Sequence, residues 1–318
     1  MRIVVLDGHV LNPGDNPWTE IEALGELTVH PRTEASLVVE RARDAEIVLT
    51  NKAPLDAATL AALPRLKFVS VLATGHNVVD GAAAAARGIP VSNVPAYGTR
   101  SVAQHALALL LELANRCGLH EQSVRDGEWT ACPDYCYWKS PVVELAGKAF
   151  GVVGGGTIGA ATGRLAEAFG MEIWVTPSRR HPGPPVAGWQ VRETAEIFRG
   201  ADVVSLHCPQ TPENTRFVNR ELLATMKPTA FLLNTARGGL IDEAALAGAL
   251  DEGLLAGAGL DVVSTEPIRA ENPLLRARNC VVTPHIAWSS LPARRRLLAT
   301  TAGNIRAFLA GSPANRVN

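Results

Sequence analysis

The sequence predicts an α/β fold of two lobes, each built on a doubly wound parallel sheet, with a cleft between them. Short runs of β-branched residues alternate with Ala- and Leu-rich stretches of helical period along almost the whole chain. Such alternation produces parallel strands that are covered by helices on both faces. The length of 318 residues suits about two domains, and a 47% share of hydrophobic residues provides a large core.

The elements follow from two kinds of pattern. Short apolar runs predict buried strands at Ile3–Leu6, Ile47–Thr50, Phe68–Leu72, Phe150–Val153, Glu172–Thr176, Val203–Leu206, Phe231–Leu233 and Val281–Val282. Apolar residues three or four positions apart predict helices at Asp56–Leu63, Ser101–Asn115, Thr157–Phe169, Glu243–Leu250 and Pro292–Leu309. The helix that Ser101 would cap and the last helix are the longest, and we interpret them as joints between lobes. One domain is therefore expected to contain residues 1–99 plus 287–318, and the other residues 100–286.

The charge balance and the cysteines exclude several classes of protein. A net charge of -1 and a pI of about 6.7 give no electrostatic reason to expect nucleic acid or an acidic membrane as a partner. No apolar run reaches the roughly 18 residues of a membrane span, and Asp7 interrupts an N-terminal run too short for a signal peptide. We expect a cytoplasmic protein. The five scattered cysteines predict no disulfide framework, and Cys132 and Cys136 lack a second ligand pair, so no metal is expected.

A glycine-rich loop lies between a predicted strand and a predicted helix. Gly154, Gly156 and Gly159 follow the pattern G-x-G-x-x-G, with Thr157 and Ile158 opening the helix. In this context the first glycine permits the tight turn, the second lets the backbone approach a pyrophosphate, and the third lets helix and sheet pack closely. The helix N-terminus adds amide donors for the phosphates. The loop predicts a dinucleotide-binding domain at residues 100–286, which leaves residues 1–99 plus 287–318 for the substrate.

The residues after the next strand bear on which dinucleotide is bound. An acid that would hold the adenosine ribose 2′-hydroxyl is expected about 20 residues beyond the glycines. Ser178, Arg179 and Arg180 stand in that region, and no acid is present. Guanidinium groups pair well with phosphate oxygens, so the sequence favours NADP(H), with NAD(H) as the alternative. The competing interpretation is that both arginines simply face solvent on a loop.

Three chemically informative residues each follow an apolar run. Arg237, Glu266 and His285 are therefore expected at the carboxyl edge of one parallel sheet, where ligands bind in open α/β folds. An arginine can hold a carboxylate in a bidentate fashion, a histidine transfers protons near neutral pH, and an adjacent carboxylate fixes the histidine tautomer. These types suit the reduction of a 2-keto acid, with Asp261 placed to meet a nicotinamide carboxamide. Each could instead be an ordinary surface or capping residue, although three such coincidences at strand ends are improbable together.

Several motifs together resemble one known family. The matching segments are Ala73–Asp80, Ser101–Gln104, Val153–Gly159, Asn234–Gly239 and Thr283–Trp288. The chain resembles the D-isomer-specific 2-hydroxyacid dehydrogenases over essentially its whole length. It is most similar to the glycerate dehydrogenase and hydroxypyruvate (glyoxylate) reductase branch, because of Gln104, the segment Cys132–Trp138 and the segment Pro284–Trp288.

The resemblance implies a reaction and further site residues. The reaction is hydride transfer between NAD(P)H and C2 of a small 2-keto acid, with Arg237, Glu266 and His285 in the roles argued above. Backbone at Thr74 and Gly75 would face the substrate carboxylate. Cys208, Thr235, Ala236 and Arg237 would line the cofactor. Family members are typically homodimers joined by the helix after residue 100 and by the arm through Trp138. Trp138 and Trp288 are expected either to wall the substrate pocket or to pack in the core or dimer interface.

Two departures from the family pattern affect the cofactor. Gly155 and Thr157 stand where the family usually has an aromatic or aliphatic residue and an arginine. Loss of that arginine would remove one phosphate contact. The family's NAD-selecting aspartate is also absent, so the preference for NADP(H) follows from this sequence alone.

Other functions remain open at this point. Phosphoglycerate oxidation would need extra cations around Asn51, Thr74 and His76, where only Lys52 is present. D-lactate-type and broad glyoxylate-type reductases stay possible, whereas formate oxidation would be expected to replace Glu266 by a neutral amide. A dinucleotide-binding corepressor could keep all three catalytic residue types, and an activity assay would distinguish it from an enzyme.

Overall fold

A computed structural model describes residues 1–177 and 183–318, which form two compact units. The first unit contains Met1–Gly98 and Ser289–Asn318, and the second contains Thr99–Trp288. The borders predicted from the sequence are 99/100 and 286/287. The assignment of substrate to the first unit and dinucleotide to the second stays a prediction.

The described part of the chain forms twelve strands and twelve α-helices. The strands are β1 (Arg2–Val5), β2 (Glu26–Val29), β3 (Ile47–Thr50), β4 (Phe68–Val71), β5 (Val91–Ser92), β6 (Ala149–Val153), β7 (Glu172–Val175), β8 (Gln190–Val191), β9 (Val203–Leu206), β10 (Phe231–Asn234), β11 (Gly257–Leu260) and β12 (Cys280–Val282). The helices are α1 (Thr19–Glu22), α2 (Val38–Ala42), α3 (Ala57–Ala61), α4 (Gly81–Ala86), α5 (Thr99–Asn115), α6 (Cys117–Arg125), α7 (Glu128–Ala131), α8 (Thr157–Ala168), α9 (Thr194–Gly200), α10 (Arg220–Leu223), α11 (Glu243–Asp251) and α12 (Leu291–Leu309). None of the helices within residues 1–177 and 183–318 combines the length and apolar character that crossing a membrane requires. The cytoplasmic location stays a prediction.

The first unit is a five-stranded parallel sheet in the order β2-β1-β3-β4-β5. This is the strand order of flavodoxin-like domains. Its core consists of fully buried aliphatic side chains such as Leu6, Val48 and Val69. The C-terminal tail belongs to this unit because the N–H of Val317 donates to the carbonyl of Val91 at 2.8 Å.

The second unit is a seven-stranded parallel sheet in the order β12-β11-β10-β9-β6-β7-β8. The strand order reverses direction between β6 and β9, and ligands of open α/β sheets bind outside the carboxyl ends of strands at such a switch point. Both faces of the sheet are covered, with Phe198 and Leu232 in one core and Phe150 and Leu233 in the other. The predicted α/β class with doubly wound parallel sheets is confirmed.

Four of the observed strands were not predicted from the sequence. Strand β2 carries mostly exposed side chains, β5 and β8 have two residues each, and β11 contains two glycines, which have low strand propensity. These strands lack the continuous run of β-branched residues by which the others were found. The proposed Ser101 cap was also wrong, because α5 begins at Thr99 and Ser101 lies inside its first turn.

Candidate active site

The glycine-rich loop connects β6 to α8 as a tight turn. Gly154 has φ +106°, and a Cβ there would lie 2.6 Å from the backbone nitrogen of Cys208. A Cβ at Gly159 would lie 2.1 Å from the carbonyl oxygen of Gly154. At Gly156 a Cβ would meet nothing within 4 Å, and within the described residues no side chain caps the helix that begins there. The space in front of Gly156 and the uncapped amides of α8 fit a pyrophosphate.

The other residues expected beside a cofactor follow neighbouring strands. Cys208 lies just beyond β9, with its backbone against Gly154. Burial raises the pKa of the Cys208 thiol, which keeps it neutral. Thr235 and Ala236 follow β10, and the buried hydroxyl of Thr235 lacks a hydrogen-bond partner among the described residues. An unpaired buried hydroxyl is unfavourable, so a ligand group that bonds it fits this position. Thr157 is exposed and Ile158 half-buried at the start of α8.

Three residues are proposed to select NADP(H). Ser178, Arg179 and Arg180 lie outside the described residues. Two residues before Ser178, the hydroxyl of Thr176 accepts a hydrogen bond from the N–H of Gly154 at 2.9 Å. The chain entering that segment is therefore joined to the glycine-rich loop.

Arg237 lies in a turn that is shaped by a buried asparagine. The side chain of Asn234 donates to the carbonyl of Arg237 at 2.9 Å and accepts from the N–H of Ala236 at 3.0 Å. A Cβ at the following residue, Gly238, would lie 1.9 Å from the carbonyl carbon of Val263. The turn thus packs backbone against backbone, while the Arg237 side chain is exposed. Its Nη1 donates to the carbonyl of Ala236 at 2.7 Å.

Glu266 and His285 are in direct contact. The Nδ1 atom of His285 lies 2.6 Å from Oε2 of Glu266, and each side chain is about one-third exposed, at 31% and 33%. His285 follows β12, Glu266 follows β11, and Arg237 follows β10, and these three strands are adjacent in the sheet. The structure therefore brings the carboxylate and the imidazole together and places the arginine at the next strand end.

A carboxylate that the sequence analysis missed fixes the loop carrying Glu266. Glu243, the first residue of α11, accepts hydrogen bonds from the N–H and hydroxyl of Ser264 at 2.6 and 2.8 Å. It also accepts one from the side chain of Asn272 at 3.0 Å. The loop between Ser264 and Asn272 includes Glu266 and the cis peptide bond to Pro267. No local pattern signals this, because Glu243 is 21 residues from Ser264.

Asp261 is almost fully buried, at 1% exposure, directly after β11. Burial alone would raise its pKa, but hydrogen bonds from His105, from the Thr283 hydroxyl and from the N–H groups of Ile286 and Ala287 lower it overall. Asp261 is therefore an ionised residue that holds the loop of His285, a role that the sequence analysis did not include. Its contact with a nicotinamide carboxamide stays a prediction.

The other residues expected to contact the substrate are divided between the two units. In the first unit, Thr74 and Gly75 follow β4, and Thr74 is exposed whereas Gly75 is half-buried. The Thr74 hydroxyl donates a hydrogen bond to the carbonyl of Val94 at 2.9 Å. The backbone carbonyl of Thr74 accepts one from the side-chain amide of Asn93 at 2.7 Å. In the second unit, Trp138 is 71% exposed, so a position in the core of this chain is wrong for it. Trp288 is half-buried.

The site can bind an anion and transfer a proton at one sheet edge. Arg237 supplies an exposed cation, the Glu266–His285 pair supplies an acid or base with a fixed tautomer, and the glycine-rich loop supplies amide donors. Among the described residues, no group of three or more His, Cys, Asp or Glu side chains is arranged to hold a metal ion. Reduction or oxidation of a carboxylate-bearing substrate with a dinucleotide suits these groups.

Comparison with known proteins points to the same chemistry. Residues 107–287 match the family described as "D-isomer specific 2-hydroxyacid dehydrogenase, NAD binding domain". The chain is 48% identical over 321 residues to a hydroxypyruvate reductase of Blautia hydrogenotrophica, with 100% of both proteins covered. It is 40% identical over 282 residues to a glycerate dehydrogenase of Methylorubrum extorquens, with 88% of each covered.

A solved structure is similar across both units. It is an NADPH-dependent glyoxylate/hydroxypyruvate reductase from Sinorhizobium meliloti in complex with NADP and malonate. The match has a TM-score of 0.83 and 32% identity, and covers 99% of this chain and 96% of the other.

The close packing at Gly238 generates a stability prediction. Gly238→Ala is expected to lower the free energy of unfolding by about 2–4 kcal/mol, because the new methyl overlaps the Val263 backbone, which cannot rotate away. The control is Gly248→Ala within α11, where a Cβ lies no closer than 3.8 Å to its nearest neighbour. That variant is expected to gain about 0.5–1 kcal/mol from helix propensity. Urea unfolding of both variants measures the difference, and equal effects would contradict the packing at Gly238.

Proposed function

Because this chain belongs to the D-isomer specific 2-hydroxyacid dehydrogenase family, we propose that it reduces hydroxypyruvate and glyoxylate at C2. The observation that carries the proposal is the 2.6 Å contact between His285 and Glu266 at strand ends next to Arg237. The names of its relatives, hydroxypyruvate reductase and glycerate dehydrogenase, support this substrate class. The second unit contains the family's NAD-binding domain.

Arg237 is proposed to bind the substrate. A guanidinium can hold a carboxylate through two parallel hydrogen bonds, which also orients the adjacent keto group. The turn set by Asn234 and Gly238 fixes the backbone from which Arg237 extends. The expected contact of backbone at Thr74 and Gly75, in the first unit, with a substrate carboxylate stays a prediction.

His285 is proposed as the proton donor and Glu266 as its partner. With Nδ1 bonded to the carboxylate of Glu266, Nε2 of the imidazolium is left to protonate the developing alkoxide oxygen. The carboxylate accepts the Nδ1–H and thereby fixes the tautomer and the orientation of the ring. A bound reduced nicotinamide dinucleotide supplies the hydride to C2, and Gly154, Gly156 and the start of α8 are proposed to hold its pyrophosphate.

Initial-rate measurements test this function. The enzyme is expected to oxidise NADPH faster with hydroxypyruvate and glyoxylate than with pyruvate. His285→Ala is expected to reduce kcat by about 10²–10⁴-fold, the usual contribution of a general acid, while a fluorescence titration shows unchanged cofactor binding. Absence of turnover with every 2-keto acid would favour a dinucleotide-binding corepressor, and near-normal kcat in the variant would reassign the proton donor.

NADP(H) is proposed as the preferred cofactor. No acid is available after β7 to select a ribose 2′-hydroxyl, and Ser178, Arg179 and Arg180 provide a hydroxyl and two cations there. Guanidinium groups suit a 2′-phosphate. The similar reductase from Sinorhizobium meliloti is NADPH-dependent and was solved with NADP, which supports the same choice here.

Arg179→Ala tests the cofactor preference. The KM for NADPH is expected to rise about 10-fold or more, the value of a charged hydrogen bond, while the KM for NADH changes less than about 2-fold. Arg192→Ala is the matched control, because its guanidinium lies 5.4 Å from the ring centroid of Trp174 and is already engaged. If Arg179→Ala weakens both cofactors equally, a 2′-phosphate contact is ruled out.

A homodimer is proposed as the functional assembly. Trp129, Tyr135 and Trp138 are 51%, 89% and 71% exposed on the segment after α6, and exposed aromatic clusters are typical of protein interfaces. Sedimentation velocity is expected to give about twice the chain mass of 33.7 kDa. The double substitution Trp129→Asp with Tyr135→Asp should give monomer, unlike the control Val10→Asp at an exposed residue outside the segment. A monomeric wild type would contradict the proposal.

A further inference from the structure

His105 on α5 reaches the loop of the acid–base pair through hydrogen bonds. Its Nε2 lies 2.9 Å from the hydroxyl oxygen of Thr283 and 3.4 Å from Oδ1 of Asp261. The Thr283 hydroxyl lies 2.6 Å from the same Oδ1. His105 is 178 residues from Thr283 along the chain, and its side chain is only 20% exposed.

Counting protons fixes the direction of each hydrogen bond. The ionised carboxylate of Asp261 can only accept, so the single hydroxyl proton of Thr283 is donated to Asp261. The Thr283 oxygen must then accept from Nε2 of His105, because its remaining neighbour, the carbonyl of Leu260 at 3.5 Å, has no proton to donate. His105 is therefore protonated on Nε2, and the short distance to Thr283 and the longer one to Asp261 indicate that this N–H is shared between two acceptors.

Asp261, the end point of this chain of bonds, holds the backbone around His285. Its Oδ1 accepts from the N–H of Ile286 at 2.9 Å, and its Oδ2 accepts from the N–H of Ala287 at 2.8 Å. Its backbone carbonyl accepts from the N–H of His285 at 2.9 Å. His285 has φ +54°, in the left-handed region that non-glycine residues rarely adopt. Such a conformation persists only where surrounding bonds hold it.

We propose that His105 is a positioning residue for catalysis, acting on His285 through Thr283 and Asp261. This inference rests on the proposed function, because it assigns His285 as the proton donor. His105 orients the Thr283 hydroxyl toward Asp261, and Asp261 in turn holds the left-handed turn that places the His285 ring against Glu266. His105 itself does not touch the reacting atoms in this role.

Histidine-selective ¹⁵N NMR tests the geometry without substrate. The ring of His105 is expected to show the Nε2–H tautomer, and His285 the signal of an Nδ1–H bonded to a carboxylate. His105→Phe, which removes the donor, should shift the His285 ring resonances. His105→Gln, whose amide nitrogen replaces Nε2, should leave them nearly unchanged. An Nδ1–H tautomer at His105, or unchanged His285 signals in His105→Phe, would overturn the proposal.

Kinetics then test the consequence for catalysis. His105→Phe is expected to lower kcat about 10–100-fold, as small misplacements of catalytic groups do, with the Kd for NADPH and the urea midpoint little changed. His105→Gln should retain kcat within about 3-fold. His120→Phe, which removes a half-buried histidine bonded to Arg116 and Lys139, is the matched control and should behave as wild type.

A double-mutant cycle with Thr283→Val tests the route of the effect. If His105 acts through Thr283, adding His105→Phe to Thr283→Val should change kcat less than about 2-fold, because coupled residues are not additive. Full additivity would show that His105 acts elsewhere. A wild type inactive on every 2-keto acid would refute the reductase function, and the NMR result would still decide whether His105 positions His285.

Discussion

The loop that carries His285 depends on the hydrogen bonds that the buried carboxylate of Asp261 accepts. It lies at the end of β11 and accepts hydrogen bonds from the Thr283 hydroxyl and from two backbone N–H groups beyond His285. Charge-assisted bonds of this kind are about twice as strong as neutral ones, and they lower the Asp261 pKa despite burial. A fixed anion therefore sets a backbone conformation that His285 would otherwise adopt rarely.

The parallel pairing of the strands brings the other proposed site residues to the same edge of the sheet. Because every strand of the second sheet runs in the same direction, the segments after β6, β9, β10, β11 and β12 all emerge at one edge. The glycine-rich loop and Cys208 flank the point where the strand order reverses, and Arg237, Glu266 and His285 follow three adjacent strands. The residues proposed for dinucleotide binding and those proposed for proton transfer therefore lie at the same edge of one sheet.

Asn234 and Glu243, which have no proposed part in the reaction, hold the segments that follow β10 and β11 in place. Asn234 bonds the backbone of the Arg237 turn, and Glu243 bonds Ser264 and Asn272 on either side of Glu266. Buried or half-buried polar groups that satisfy backbone donors and acceptors give a loop one conformation. Catalytic groups need such fixed positions, since small displacements reduce the rate strongly.

The fold class, the glycine-rich loop and the candidate residues Arg237, Glu266 and His285 could all be predicted from the sequence. Each depends on a local pattern, namely an apolar run followed by a particular residue type. Such a pattern involves only residues that are close together along the chain, so it can be recognised without the structure. Two features are visible only in the folded protein: Asp261 holds the loop of His285, and His105 contacts Thr283 from 178 residues away. Those contacts depend on how α5 packs on β11 and on strand register, and no spacing along the chain encodes either.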